Sequence, residues 1–178
     1  NKTMNAKIIV PVVTVFNQNG TPDHEANKIV IDYMLRNQVD GILVLGSAGE
    51  FPGLDTAEKQ RFLEFYADYA GGRTALYAGT GCERFADTLA LSRLACDLGY
   101  QAPLVIGPYY YGMDQEHIFT FYDTLAKSLQ RDLMIYNYPA RSGHNVAAQT
   151  VQRLVQANPN IVGLKDTVAE PAHTSQVC

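Results

Sequence analysis

Tryptophan is absent from the 178 residues, and charge is sparse: 14 Lys and Arg stand against 18 Asp and Glu, a formal net charge of -4. The few cations are dispersed, which excludes the basic patch that nucleic-acid binding needs. No apolar run approaches the roughly 20 residues of a membrane span. The N-terminus lacks a basic start followed by an apolar stretch and a small-residue cleavage site, so a cytoplasmic chain is expected. Cysteines number three, Cys82, Cys96 and Cys178. They are an odd set without metal-ligand spacing, which fits reduced thiols. His24, His117, His144 and His173 are scattered with no HExxH-type pairing, so no metal site is expected. What these absences leave is an ordinary soluble globular chain.

Short apolar runs alternate with helical patterns from one end to the other. Residues 8–15 (IIVPVVTV) are β-branched nearly throughout and predict a buried strand, with Pro11 at its start or at an irregular position. A turn at Asn17–Gly20 leads to Thr21 as the expected cap of a helix with Pro22 first, whose apolar stripe is Ala26, Ile29, Val30, Tyr33 and Met34. Gly41–Gly46 is a second strand, and it runs into the loop Ser47–Phe51. Asp55 and Glu58 form a capping-box pattern before a helix carrying Phe62, Leu63, Phe65, Tyr66 and Tyr69, which stops at Gly71-Gly72. Thr74–Gly79 is the third strand; the helix after it is expected to bury Ala86, Leu89, Ala90 and Leu94. Pro103–Gly107 is the fourth. Asp114 then caps a helix burying Ile118, Phe119, Tyr122, Leu125, Ala126 and Leu129. Leu133–Asn137 is the fifth strand. A weaker helix with Val151, Leu154 and Val155 precedes the sixth, Ile161–Asp166.

The strand ends fall near Thr14, Gly46, Gly79, Gly107, Asn137 and Asp166, about 30 residues apart. Strands buried on both faces, each followed by an amphipathic helix, imply a parallel α/β sheet. A repeat of that size matches about 250 residues divided into eight units, the (β/α)8 or TIM barrel. Six strands cannot close such a barrel, and the polar stretch from Thr167 to Cys178 offers no seventh. The expectation is therefore one domain over 1–178, an incomplete barrel of about its first six βα units. The competing reading is a smaller doubly wound domain, but Phe16–Gly20 supplies no Gly-rich phosphate loop after the first strand.

In either parallel fold a ligand sits at the carboxyl ends of the strands. Read there, the sequence offers Thr14, Ser47, Tyr110, Tyr136 and Lys165. Lys165 ends the apolar run Ile161-Val162-Gly163-Leu164, where desolvation disfavours an ammonium and a neutral amine can attack a carbonyl. The plainer alternative is a lysine reaching into water with Asp166 as a solvated partner. For the tyrosines it is a rim phenol with a satisfied hydroxyl, and for Ser47 a turn residue.

Gly46-Ser47-Ala48-Gly49-Glu50, Pro108-Tyr109-Tyr110, Tyr136-Asn137-Tyr138-Pro139 and Gly163-Leu164-Lys165-Asp166, in that order and spacing, resemble the signature segments of the dihydrodipicolinate synthase/N-acetylneuraminate lyase family. The resemblance covers nearly the whole chain. It implies a TIM barrel, a class I (Schiff-base) lyase or aldolase reaction on pyruvate or a 2-keto acid, no external cofactor, and a homotetramer. It makes Lys165 the imine-forming lysine and Tyr136 the proton donor and acceptor. Ser47 would relay protons between Tyr136 and Tyr110, the latter reaching in from a neighbouring subunit. Ala48 departs from the pattern, because the family usually has a second hydroxyl there to bind the pyruvate carboxylate; only the amide is retained. Arg141, in Pro139-Ala140-Arg141-Ser142-Gly143, resembles the residue with which the synthases hold the carboxylate of the aldehyde partner. Its plain reading is a loop arginine on a surface carboxylate. The Ser47 and Lys165 segments are nearer the 2-keto-3-deoxy sugar acid aldolases. The alternatives are a dihydrodipicolinate synthase acting on aspartate semialdehyde, and a keto-acid binder that no longer turns over.

Overall fold

A computed structural model describes residues 6–177; Cys178 lies outside them. The described residues divide into two compact units, one of residues 6–79 with 97–101 and one of residues 80–96 with 102–177.

In the first unit, β1 (Ile9–Pro11), β2 (Gly41–Val44) and β3 (Ala75–Gly79) pair in parallel and in chain order. β1 is shorter than the apolar run 8–15. Pro11 closes it, having no N–H for a ladder, although Val12 still donates to the Leu43 carbonyl at 3.0 Å. α1 (His24–Arg36) corrects two expectations. Its cap is Asp23, which accepts from the Ala26 N–H at 3.0 Å. The Thr21 hydroxyl is already bound to Asn19 Oδ1 at 2.8 Å, inside the preceding turn. The buried face is Asn27, Ile31 and Met34, while Ile29 and Tyr33 are exposed. Asn27 explains the rotation. Its amide donates to the Val15 and Asp23 carbonyls at 2.9 and 2.7 Å and accepts from the Val15 N–H at 3.1 Å. A fully buried side chain so satisfied fixes which face turns inward.

α2 (Thr56–Ala70) begins with the capping box that Asp55 and Glu58 predict: Glu58 N donates to Asp55 Oδ1 at 2.7 Å and Asp55 N to Glu58 Oε2 at 2.8 Å. Phe62, Leu63, Tyr66 and Ala70 are buried. Phe65 and Tyr69 sit at the seam with α1 instead, Phe65 stacked on His24 and the Tyr69 hydroxyl donating to Asp32. Gly79 ends β3 where a Cβ would stand 2.1 Å from the Leu45 carbonyl oxygen, so only glycine lets these two backbones meet.

In the second unit β4 (Ala102–Ile106), β5 (Leu133–Asn137) and β6 (Ile161–Asp166) are likewise parallel and in chain order. α3 (Phe85–Asp97) buries Thr88, Leu91, Ser92 and Ala95, nearly the opposite face from the expected stripe of Ala86, Leu89, Ala90 and Leu94, of which Ala86 and Ala90 are exposed. Hydroxyls again decide: Ser92 shares a 2.8 Å hydrogen bond with Thr80, and Thr88 accepts from the Cys82 N–H at 3.0 Å. α4 (Gln115–Leu129) follows the Asp114 cap and buries Ile118, Tyr122, Leu125, Ala126 and Leu129, as its periodicity predicts; Phe119 is only partly buried. α5 (Pro139–Ser142) is a single turn, α6 (Ala148–Ala157) carries Val151 and Leu154 inward, and the polar stretch after Thr167 forms α7 (Pro171–Val177). Val155 is exposed. Among the described residues no helix is long and apolar enough to cross a membrane.

Asn27→Ala would leave the Val15 N–H without its partner, while the Val15 carbonyl keeps the Asp23 N–H at 2.9 Å. Urea denaturation of the full-length protein should show a loss of about 1–3 kcal/mol; a change under about 0.5 kcal/mol, the level of an ordinary surface substitution, would refute this account of the α1 face.

Candidate active site

The pairing of β5 with β6 contains one irregularity. Leu133 pairs with Ile161, but Met134 pairs with Gly163, so Val162 is an extra residue in β6 and its side chain is exposed. From that bulge onward the register is Ile135 with Leu164, Tyr136 with Lys165 and Asn137 with Asp166. Without the extra residue Leu164 would face Tyr136 and Lys165 would face Asn137. A one-residue slip exchanges the faces of a strand, and a bulge is how a strand re-aims a side chain.

Register partners share a face and successive residues alternate. On one face, Lys165 Nζ lies 4.0 Å from the centroid of the Tyr136 ring, a cation–π contact. Tyr136 is buried and Lys165 half-buried. On the other face, the Asn137 amide donates to Asp166 Oδ1 and to Asn145 Oδ1, both at 2.9 Å, and accepts from the Val146 N–H at 3.0 Å. Asp166 Oδ2 meets His173 Nδ1 at 2.8 Å and accepts from the Thr174 hydroxyl at 2.7 Å. His173 Nε2 reaches the Val146 carbonyl at 2.8 Å. The Asp166 side chain is 5% exposed and that of His173 12%. Asp166 is therefore not a solvated partner of Lys165; it turns away from the lysine, as strand alternation requires. Burial alone would raise the Asp166 carboxyl, but His173, Thr174 and Asn137 together hold it below the usual carboxylate range. Burial alone would lower His173; Asp166 and the Val146 carbonyl outweigh it and raise the imidazole.

Sequence reading missed this polar cluster. Lys165-Asp166 on adjacent strand positions was its available signal, since both cannot face one ligand. The donors that hold Asp166 arrive from α7 and from β5, which no local pattern reveals.

Tyr110 lies after β4 with φ +85° and is 85% exposed, its ring edge-on to Tyr111 at 4.9 Å between centroids. Arg141 is exposed on α5. In the first unit, Ser47 opens a 3-10 turn, Ser47–Gly49, with Ala48 exposed on it. Leu45 at φ +57° and Glu50 at φ +54° flank this turn, and the buried Thr14 hydroxyl donates to the Gly49 carbonyl at 2.7 Å. Thr14 is thus a support for the turn. Among the described residues no group of three or more His, Cys, Asp and Glu is placed to hold a metal.

Parallel βα units with an amine held over a phenol at adjoining strand ends define an α/β protein of the (β/α)8-barrel class, and comparison with solved structures agrees. The chain superposes on YagE of Escherichia coli K12, a prophage protein of the dihydrodipicolinic acid synthase family solved with pyruvate, at TM-score 0.92 and 32% identity over 96% of this chain and 57% of that one. It superposes on the 2-keto 3-deoxygluconate aldolase of Picrophilus torridus at TM-score 0.92 and 28% identity, over 98% and 62% of the two chains. The fold is accordingly about six βα units of that barrel. The sequence pattern of the dihydrodipicolinate synthetase family matches residues 4–178, and the chain belongs to that family. Among curated relatives, YagE, named provisionally as a 2-dehydro-3-deoxy-D-gluconate aldolase, is 33% identical over 93% of this chain and 55% of its own length. The 4-hydroxy-tetrahydrodipicolinate synthase of Hydrogenobaculum is 32% identical over 95% and 58%. The chain spans a little over half the length of the relatives it matches.

Asn137→Leu keeps the volume and removes the buried amide from Asp166, Asn145 and Val146. A loss of about 2–4 kcal/mol in denaturant is expected, because a charged acceptor is among the orphaned groups. A loss below about 1 kcal/mol would show that the network does not hold the strand ends.

Proposed function

We propose that the protein is a class I pyruvate-dependent aldolase or lyase, acting on a 2-keto-3-deoxy sugar acid, with Lys165 as its imine-forming residue. The observation that carries this is the Lys165 amine 4.0 Å from the Tyr136 ring centre at paired strand ends. In its neutral form the amine adds to the C2 carbonyl of the keto acid, giving a carbinolamine that loses water to the imine. The protonated imine accepts the electron pair released when C3–C4 breaks, leaving an enamine and a free aldehyde. Protonation of the enamine and hydrolysis return pyruvate and the lysine. Each step moves a proton, and Tyr136 is the phenol beside the nitrogen for that work. The chemistry needs no external cofactor. Ser47 as relay, Ala48 as an amide donor to the substrate carboxylate, and Arg141 as a contact to the distal part of the substrate rest on the family resemblance. So do the homotetramer and the cytoplasmic setting. The exposure of the Tyr110 phenol is compatible with a role in a neighbouring subunit. Pyruvate bound to YagE supports a keto-acid ligand.

Arg141 favours a second reading, a dihydrodipicolinate synthase in which the guanidinium holds the carboxylate of aspartate semialdehyde. Screening 2-keto-3-deoxy sugar acids against aspartate semialdehyde separates the two.

Pyruvate with borohydride should leave a reduced adduct on the Lys165 peptide of the full-length protein. A folded sample with no adduct, or one whose adduct persists in Lys165→Ala, ends the Schiff-base reading and leaves a non-covalent keto-acid binder. Tyr136→Phe should keep the fold and lose roughly 10²–10⁴-fold in turnover; a variant within a few-fold of the parent removes Tyr136 from the mechanism.

A further inference from the structure

The Asp166–His173 pair belongs to the face of β6 opposite the lysine, and no step of the proposed reaction uses it. Its hydrogen bonds nonetheless fix the protonation of the ring. The Val146 carbonyl can only accept, so Nε2 at 2.8 Å must carry a proton. Across from Nδ1 stands a carboxylate that already receives the Asn137 amide and the Thr174 hydroxyl. Those two donors stabilise its ionised form, so the proton between Oδ2 and Nδ1 stays on the ring. His173 thus bridges two acceptors as a double donor, which only the imidazolium can be.

We propose that His173 is a positioning residue: as an imidazolium from α7 it clamps Asp166 to the Val146 carbonyl and so holds the adjacent Lys165 against Tyr136. The role rests on the imine chemistry proposed for Lys165. The route is short. Asp166 is the next residue in β6, its other oxygen is tied to the register partner Asn137, and the Thr167 N–H donates to the Asn137 carbonyl at 2.8 Å. The end of β6 beyond the bulge is therefore fastened on the Asp166 face by Asn137, His173 and Thr174.

Few charges compete for the imidazole. Asp166 faces it from β6. α6, packed against α7, carries only Arg153, which is paired with Glu116. α7 itself bears no other charged side chain; Glu170, just before it, and Arg141, on α5, are exposed, and His144, in the loop before α6, is buried. The His173 midpoint is raised and that of Asp166 is lowered. The imidazolium bond is then fully present below the ordinary histidine value near 6.5 and is lost as pH rises through the raised midpoint. At the acid end it is lost as pH falls through the lowered Asp166 midpoint.

The test uses the full-length protein in two measurements. Nitrogen NMR of the histidine rings should find His173 more than half doubly protonated at a pH of about 6.5, the ordinary midpoint; a ring that is half neutral or more there overturns the clamp. The second is the rate of borohydride-trapped imine formation with pyruvate, parent against His173→Gln, across pH. Glutamine keeps one neutral donor, so the parent should be faster on the order of tenfold below the His173 midpoint, a sub-ångström misplacement of the amine being enough. The ratio should shrink toward one above it. A ratio of one throughout, or a constant ratio with no pH dependence, overturns the positioning role. A parent that forms no imine sinks the aldolase reading, and the positioning role with it, while the ring spectrum still reports whether the clamp exists. Should His173→Gln fail to fold, the ring spectrum and the pH profile of the unaltered protein decide.

Discussion

The register of β6 against β5 is the constraint on which the second unit depends. One extra residue, Val162, is expelled toward solvent, and everything beyond it is rephased. The amine is thereby set over a buried aromatic face, and the carboxylate beside it is sent to the opposite side of the strand. Strand alternation keeps the lysine and the aspartate apart in either register; the bulge decides which of them meets Tyr136. Separating them costs the aspartate its solvent, and Asn137, His173 and Thr174 supply the replacement hydrogen bonds. Both strand faces are thus specified by one irregularity, and neither arrangement survives a slip of one residue.

A similar logic places the helices. In α1 and α3 the inward face is set by polar residues whose partners lie in a preceding turn or loop: Asn27 on the backbone of Val15 and Asp23, Thr88 on Cys82, Ser92 on Thr80. Hydrophobic periodicity ranks Ile29 and Tyr33 as core, and it places Leu89 and Leu94 there rather than the hydroxyls. The satisfied polar groups win because a buried amide or hydroxyl without a partner costs more than an exposed isoleucine. In α4, where the inner face is apolar but for the Tyr122 hydroxyl, which donates to the Val105 carbonyl at 2.8 Å, periodicity and structure agree from Ile118 to Leu129.

This explains how much could be read in advance. The six strands, the Asp55–Glu58 box and the Asp114 cap depend on residues within a few positions of one another, and they were legible. The family membership and the strand-end lysine were legible from four short segments. The Thr21 assignment failed because the Asn17–Thr21 turn uses that hydroxyl first. The clamp on Asp166 was not legible at all: its members stand at 137, 146, 166, 173 and 174, and the polar stretch after Thr167 gave no sign that it would fold back as α7. What local chemistry determines is visible in sequence; what a distant donor determines is not.

Backbone strain is distributed unevenly, and that bears on Ala48. Among the described residues five non-glycines have positive φ: Gln38 and Gln130 follow helix ends, where a left-handed residue is routine, whereas Leu45 and Tyr110 come after strands and Glu50 closes the 3-10 turn Ser47–Gly49. A leucine in that region is a true outlier, worth on the order of 1–3 kcal/mol, and it persists only where its surroundings over-determine it. Leu45 is buried, Gly79 lies against its carbonyl, and the Thr14 hydroxyl holds the Gly49 carbonyl on the far side of the turn. The turn bearing Ser47 and Ala48 is therefore held from both ends through backbone atoms. The side chain at position 48 takes no part in that support. Exchanging a hydroxyl for a methyl there leaves the course of the backbone, and with it the direction of the amide, in the hands of Leu45, Gly79 and Thr14.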